Sequence, residues 1–239
     1  MFKKFIVLAL LSQLLFACPQ EITDVLDSVL DSGKELTNTQ IGQGLKEALD
    51  SGISKGAARL SQTDGYFKSN YKILLPPKAR KVTDRLKNIP GFSNVEDIIL
   101  EKINRGAEDA AKKAKPIFVS AIKQMTFRDV MGILMGKNDS ATRYLESATS
   151  RKLYNEFNPV IVASLDKFNA RKYWSDIITT YNKIPLIEKA DPDLDDYVTQ
   201  QALNGLFSMV EKEENNIRHN LAARTTDLLK RVFAKQDNR

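Results

Sequence analysis

Apolar residues recur at steps of three and four along most of the chain, the pattern of helices that bury one face. Ile41, Leu45, Ala48, Leu49, Ile53, Ala57 and Leu60 predict a helix over about 38–60, with Thr37 and Gln40 in a capping-box pattern at its start. Asp64-Gly65 begins a turn, and the aromatic-rich run from Tyr66 to Pro77 predicts an ordered loop packed on the body. Pro77 suits the first turn of a helix to about Asn88. Ser93 and Glu96 predict the cap of another, which runs to about Lys115 on Val95, Ile99, Ile103, Ala107 and Ala110 until Pro116 breaks it or starts the next. Further helices are predicted near 117–124, 127–135, 140–168, 170–183, 195–219 and 225–235, with Thr126 and Asp129 at the start of the second and Pro159 as an interruption of the third. No alternating strand series and no fixed repeat is present, so the expectation is an all-α fold, a single compact multi-helix domain over 37–235 with a tail at 236–239.

The first residues follow a different rule. Lys3 and Lys4 precede an apolar stretch from Phe5 to Ala17, the build of a secretory signal and too short for the roughly 20 residues that span a bilayer. Leu15-Phe16-Ala17-Cys18 resembles the lipobox of bacterial lipoproteins, with the bulky Phe16 as a departure. That resemblance implies a signal peptide at 1–17, cleavage before Cys18 and acylation of that residue, which then holds the chain to a membrane without spanning it. Pro19 follows the cysteine where an aspartate would, by resemblance to enterobacterial lipoproteins, signal retention in the inner membrane, so the resemblance implies an outer-membrane address facing the periplasm. Residues 18–36 are then a lipidated N-terminus and tether, in which Ile22, Val25, Leu26 and Val29 form a short amphipathic pattern.

Charge narrows the partners. The formal net charge is +6, of which Lys3 and Lys4 contribute two, and basic residues are interspersed with acidic ones. This mild excess favours anionic lipid or another polyanionic envelope component over nucleic acid. With Cys18 acylated no thiol remains, and His219 is the sole histidine, which leaves little for cysteine, zinc or triad chemistry. No cofactor is implied.

Three short motifs resemble functional loops but have plainer explanations. Gly52-Ile-Ser-Lys-Gly56 has the spacing of a hydrolase nucleophile elbow, but it lies inside a helical pattern with no strand before it, so close helix packing explains it better. Gly132 to Asn138 is one residue short of a phosphate loop and lacks its hydroxyl, so Gly136 reads as a helix end. Asp191-Pro-Asp-Leu-Asp-Asp196 lacks the glycine and glutamate of a calcium loop, so these acids read as complements to a helix N-terminus.

The polar positions with most to say lie on the 195–219 helix. Glu213 falls in line with Ala202, Leu206, Val210 and Ile217, which predicts a buried carboxylate needing a cation or hydrogen-bond donors, with Arg224, Arg105 and Arg143 as candidates for a structural ion pair and a polar ligand or catalytic pocket as the alternative. Glu214 and Arg218, four apart, are expected to pair on the neighbouring face for about 0.3–0.5 kcal/mol. Glu213, Glu214, Arg218 and Arg224 together form the candidate polar cluster, and no catalytic or metal-binding set is assigned.

A family resemblance rests on Leu45-Lys-Glu-Ala-Leu49, Thr63-Asp-Gly65, Leu75-Pro-Pro77, Asn104-Arg105, Lys115-Pro116, Ala121-Ile-Lys-Gln-Met125, Ala141-Thr-Arg-Tyr144, Asp193-Leu-Asp-Asp-Tyr-Val198, Leu203-Asn-Gly-Leu-Phe207 and Ala223-Arg-Thr-Thr-Asp-Leu-Leu-Lys230. Over about Leu36 to Phe233 the chain resembles the lipoprotein family catalogued as domain of unknown function 4197. The resemblance implies a helical, exported, lipidated envelope protein of Gram-negative bacteria and carries no catalytic residues with it. Leu221 stands where similar sequences tend to have proline, which implies a softer break between the last two helices. The functional expectation is a non-enzymatic module that binds a partner protein or an anionic envelope component. The alternatives are a helical carrier of a lipid or small hydrophobic ligand, and an enzyme using a hard cation held by Asp193, Asp195, Asp196, Glu213 and Glu214.

Overall fold

In the computed structural model, residues 35–167, 169–190 and 193–237 are described. The signal peptide, Cys18 and the 19–34 part of the tether lie outside the described residues. The three-to-four periodicity becomes nine α-helices among the described residues: α1 (Asn38–Leu60), α2 (Pro77–Leu86), α3 (Val95–Ala111), α4 (Ala114–Gln124), α5 (Phe127–Leu134), α6 (Ser140–Lys167), α7 (Ala170–Asn182), α8 (Asp195–His219) and α9 (Asp227–Asp237). A 3-10 turn at Leu221–Ala223 joins the last two, and no strand occurs among the described residues. From Asn38 onward the chain forms one compact unit.

The two longest helices, α6 and α8, organise that unit. α6 packs on α3 and α8, and α8 packs in turn on α1, so α1, α6 and α8 meet around a core that includes Leu45, Ile53, Leu153, Phe157, Ala202 and Leu206. Phe118 of α4 meets Phe207 of α8 edge to face, with ring centroids 5.8 Å apart. Gly52 and Gly56 explain how α1 approaches α8: a methyl on Gly52 would lie 3.3 Å from Glu213 Cβ, and one on Gly56 2.9 Å from Met209 Cγ. The Gly-x-Ser-x-Gly motif is thus a helix-packing stripe.

Helix ends follow local chemistry, with three corrections. Thr126 and Asp129 form a full capping box at α5, Thr126 Oγ1 accepting from the Asp129 amide and the Asp129 carboxylate from the Thr126 amide. The Ser93–Glu96 cap does not form. Asn94 precedes the first turn of α3 without a side-chain cap bond, and Glu96 instead accepts from Thr83 Oγ1 of α2 at 3.1 Å. α3 ends at Ala111, short of Lys115, and Pro116 falls in the first turn of α4, where its missing N–H costs nothing. Pro159 does not interrupt α6. It and Asn155, whose carbonyl it leaves without an intrahelical donor, are both exposed, so that carbonyl is not stranded in the core.

Candidate functional site

Glu214 is the buried carboxylate of α8, and Glu213 is only half-buried. α8 is buried on several sides, and its inner line runs Leu203, Phe207, Val210, Glu214, Ile217. Steps of 3.6 residues carry position 210 to 214, which overturns the placement of Glu213 on the apolar face; the expected Glu214–Arg218 pair forms, but buried on the inner side of the helix. None of Arg105, Arg143 and Arg224 bonds to Glu213; they take Asp64 and Glu108, then Asp139, Glu146 and Glu211, then Asp237 respectively.

Glu214 and Arg218 are 6 % and 2 % exposed, and their bonds go to helix ends. The Glu214 carboxylate accepts from the amides of Ala141 and Thr142 at 2.9 and 2.8 Å and from Thr142 Oγ1 at 2.8 Å. It thereby caps the first turn of α6, where free N–H groups and the positive end of the helix dipole favour an anion. Arg218 donates to Glu214 Oε1 from Nε and Nη2, at 3.0 and 2.8 Å. Its remaining N–H groups reach the carbonyls of Ile133 and Leu134, which close α5, and Gln236 of α9. One ion pair on α8 therefore clasps the negative end of α5 to the positive end of α6. The expected 0.3–0.5 kcal/mol does not apply, because both charges are desolvated and each depends on the other.

Arg224 extends the clasp. It donates to the carbonyls of Ile217 and Arg218 at the end of α8, at 3.0 and 2.7 Å, and binds the Asp237 carboxylate with both terminal nitrogens. Its guanidinium also lies 5.3 Å from the ring centroid of Phe233 in α9. The Arg224 hydrogen bond holds the Asp237 carboxyl below its ordinary pKa. Asn220 Oδ1 accepts from the Ala222 amide, so a side chain fixes the break before α9. His219 is exposed and donates from Nδ1 to the Asn215 carbonyl at 2.9 Å.

A second buried polar set was not singled out from the sequence. On α3, Asn104 pairs with both the N–H and C=O of Ile73, and Glu108 accepts from the amides of Tyr66 and Phe67. Arg105 bridges Glu108 and Asp64 at 2.8 Å each and lies over the Phe67 ring. Tyr66 is buried and donates from its hydroxyl to the Ala202 carbonyl, and burial pushes its pKa far above the usual phenol value. These contacts account for the docked loop. The signal for them was polar residues four apart, Asn104 and Glu108, beside the apolar line of α3.

The acidic run before α8 diverges. Asp193 accepts from the Asp195 amide, Asp195 faces Arg171 at 3.2 Å, and Asp196 accepts from the Tyr154 hydroxyl at 2.6 Å. Among the described residues no three His, Cys, Asp or Glu side chains converge in a metal-binding arrangement. Burial raises the Asp195 carboxyl above its ordinary pKa, Arg171 opposing it. A surface groove of about 360 Å³ between α6 and α8 sets Arg151, Asn155, Gln200 and Asn204 around Leu203 and Phe207. No described helix is long and apolar enough to cross a membrane.

No curated protein and no solved structure matches the chain. A family model does: residues 35–234, from just before α1 into α9, match the family described as "Protein of unknown function (DUF4197)", and the chain belongs to that family.

Proposed function

We propose that this protein is a non-enzymatic interaction module of the bacterial envelope, tethered through acylated Cys18 and facing the periplasm from the outer membrane. The observation that carries the reading is how the buried charges are used. Glu108, Glu214, Arg218 and Arg224 are the buried charged residues among those described, and each is closed on a helix end or on the docked 61–76 loop. Their hydrogen-bonding capacity serves the scaffold. Chemistry free to meet another molecule lies outside, as in the α6–α8 groove with its amides and Arg151. The lipobox and the leader before it support the tether and the address.

Crosslinking in intact cells from a photoreactive residue at Asn204, and separately at Leu74, tests this reading. Reproducible adducts with one envelope protein or with phospholipid are the expected result. Purification with a bound metabolite that the chain converts, with conversion lost in Glu213→Gln, would overturn it. A carrier predicts instead a stoichiometric apolar ligand extracted from the folded protein.

A further inference from the structure

Positive charge is concentrated on one surface helix. From Lys78 to Lys87 the chain has five cationic residues, Lys78, Arg80, Lys81, Arg85 and Lys87, and one acidic residue, Asp84, a net charge of +4. That equals the excess of the whole chain once Lys3 and Lys4 are set aside, so the rest of the protein is balanced. Ala79, Val82, Thr83 and Leu86 turn inward, and the five cations all face solvent. Nearby carboxylates pair with only two of them. Asp84 pairs with Lys87, Glu188 with Lys78 at 3.7 Å, and Glu96 is engaged by Thr83, while Arg80, Lys81 and Arg85 form no ion pair among the described residues.

Exposed aliphatic side chains flank the same helix. Leu74, half exposed, lies just before it and is held by Tyr197, whose hydroxyl donates to the Leu74 carbonyl at 2.9 Å. Ile89 follows its last turn and is 36 % exposed. Leu186, in the segment after α7, is fully exposed in a left-handed backbone conformation, φ 61°, that β-carbon sterics disfavour. The Lys78–Glu188 pair and the packing of α2 on α7 bring that segment to the start of α2. Exposed aliphatic side chains flanking a helix of net charge +4 fit a surface with anionic headgroups above an apolar layer, where each cation gains from the surface potential and each aliphatic group from leaving water.

We propose that α2, with Leu74, Ile89 and Leu186, is a membrane-contact face that lays the domain on an anionic phospholipid bilayer. The inference rests on the tethered-module reading, since one anchor fixes distance and a second contact fixes orientation. The two act together because a surface already held close to lipid needs little added affinity to dock.

The test uses the full acylated chain carrying Leu186→Cys, which is the sole free thiol when Cys18 is acylated. An environment-sensitive nitrobenzoxadiazole fluorophore is attached there, and the protein is reconstituted in vesicles of phosphatidylcholine alone or with 30 mol% phosphatidylglycerol, on the order of the anionic content that attracts polybasic segments. The expected result is flotation with both vesicles, but a several-fold emission gain and a blue shift only with phosphatidylglycerol. That gain should vanish in 0.5 M salt, which shortens the screening length to about 4 Å, and in the variant Lys78→Gln, Arg80→Gln, Lys81→Gln, Arg85→Gln, Lys87→Gln. A charge-removed control on α6, Lys152→Gln, exposed and outside the α6–α8 groove, should keep it. Water-like emission on both vesicles, or equal gains in the α2 and α6 variants, overturns the inference and leaves the tether intact. A chain that takes label at Cys18 as well and stays off neutral vesicles overturns the tether reading. The charge dependence at position 186, read against the chain without Leu186→Cys, then still decides the α2 inference.

Discussion

Two sets of arginines and their neighbours divide the molecule. At the α5–α6–α8–α9 clasp, Arg218 and Arg224 are buried and saturated by carbonyls and carboxylates. On α2, Arg80 and Arg85 are exposed and unpaired among the described residues. The same guanidinium serves opposite ends. Where it closes helix termini its removal strands partners without water, and where it faces water its removal changes only what the surface attracts.

The largest effect should come from breaking the clasp. Glu214→Ala leaves Arg218 buried beside an empty site and uncaps the Ala141 and Thr142 amides, with an expected loss of about 3–5 kcal/mol and a fall in melting temperature of roughly 10 °C, read by calorimetry. Restoring length without charge in Glu214→Gln should recover part of that loss. A smaller effect is expected where the docked loop meets α8. A methyl on Gly205 would lie 2.8 Å from Tyr66 Cε1, and that ring is buried with its hydroxyl fixed to Ala202, so Gly205→Ala should cost about 1–3 kcal/mol in denaturant unfolding. Gly56→Ala meets the flexible Met209 at a similar distance and should cost less, because a methionine side chain can give way.

Acid should separate two carboxylates in opposite directions. Asp237 has a lowered folded pKa, so its contribution is present above the unfolded value, about 4, and is lost as pH falls through the lower folded value. In a melting-temperature profile, Asp237→Asn should shallow the decline below about pH 4. Asp195 has a raised folded pKa, so it costs stability as pH rises from the ordinary carboxylate value through the raised one. Asp195→Asn should remove that small penalty near neutrality.

Much of this contrast could be read in the chain, but unevenly. The limits of α1 and α8 follow from periodicity because both are long, and the capping box at Thr126 and Asp129 is local chemistry that tertiary contacts do not alter. The choice of Glu213 over Glu214 failed on phase. A helix packed against α1, α3 and α6 has no narrow stripe, and a straight line through Ala202, Leu206 and Val210 drifts from the true inner line within two turns. Beyond each other, Glu214 and Arg218 are held mainly by backbone groups of α5 and α6, up to 85 residues away, which no side-chain pattern announces. Asn104 and Glu108 were likewise hidden because their partners are amides of an irregular loop. The charge of α2 was open to view, but whole-chain averaging diluted it, and Leu186 gained meaning once α7 set its loop beside Lys78.

Thermal unfolding of two full-length variants, followed side by side at neutral pH, tests the division of charge most directly. Glu214→Ala should melt roughly 10 °C below the parent. The five-fold α2 variant to glutamine should stay within about 3 °C of it, because its two ion pairs are exposed and like charges are being removed. Equal losses in the two variants would contradict the account, since the α2 cations would then be part of the scaffold that the clasp holds.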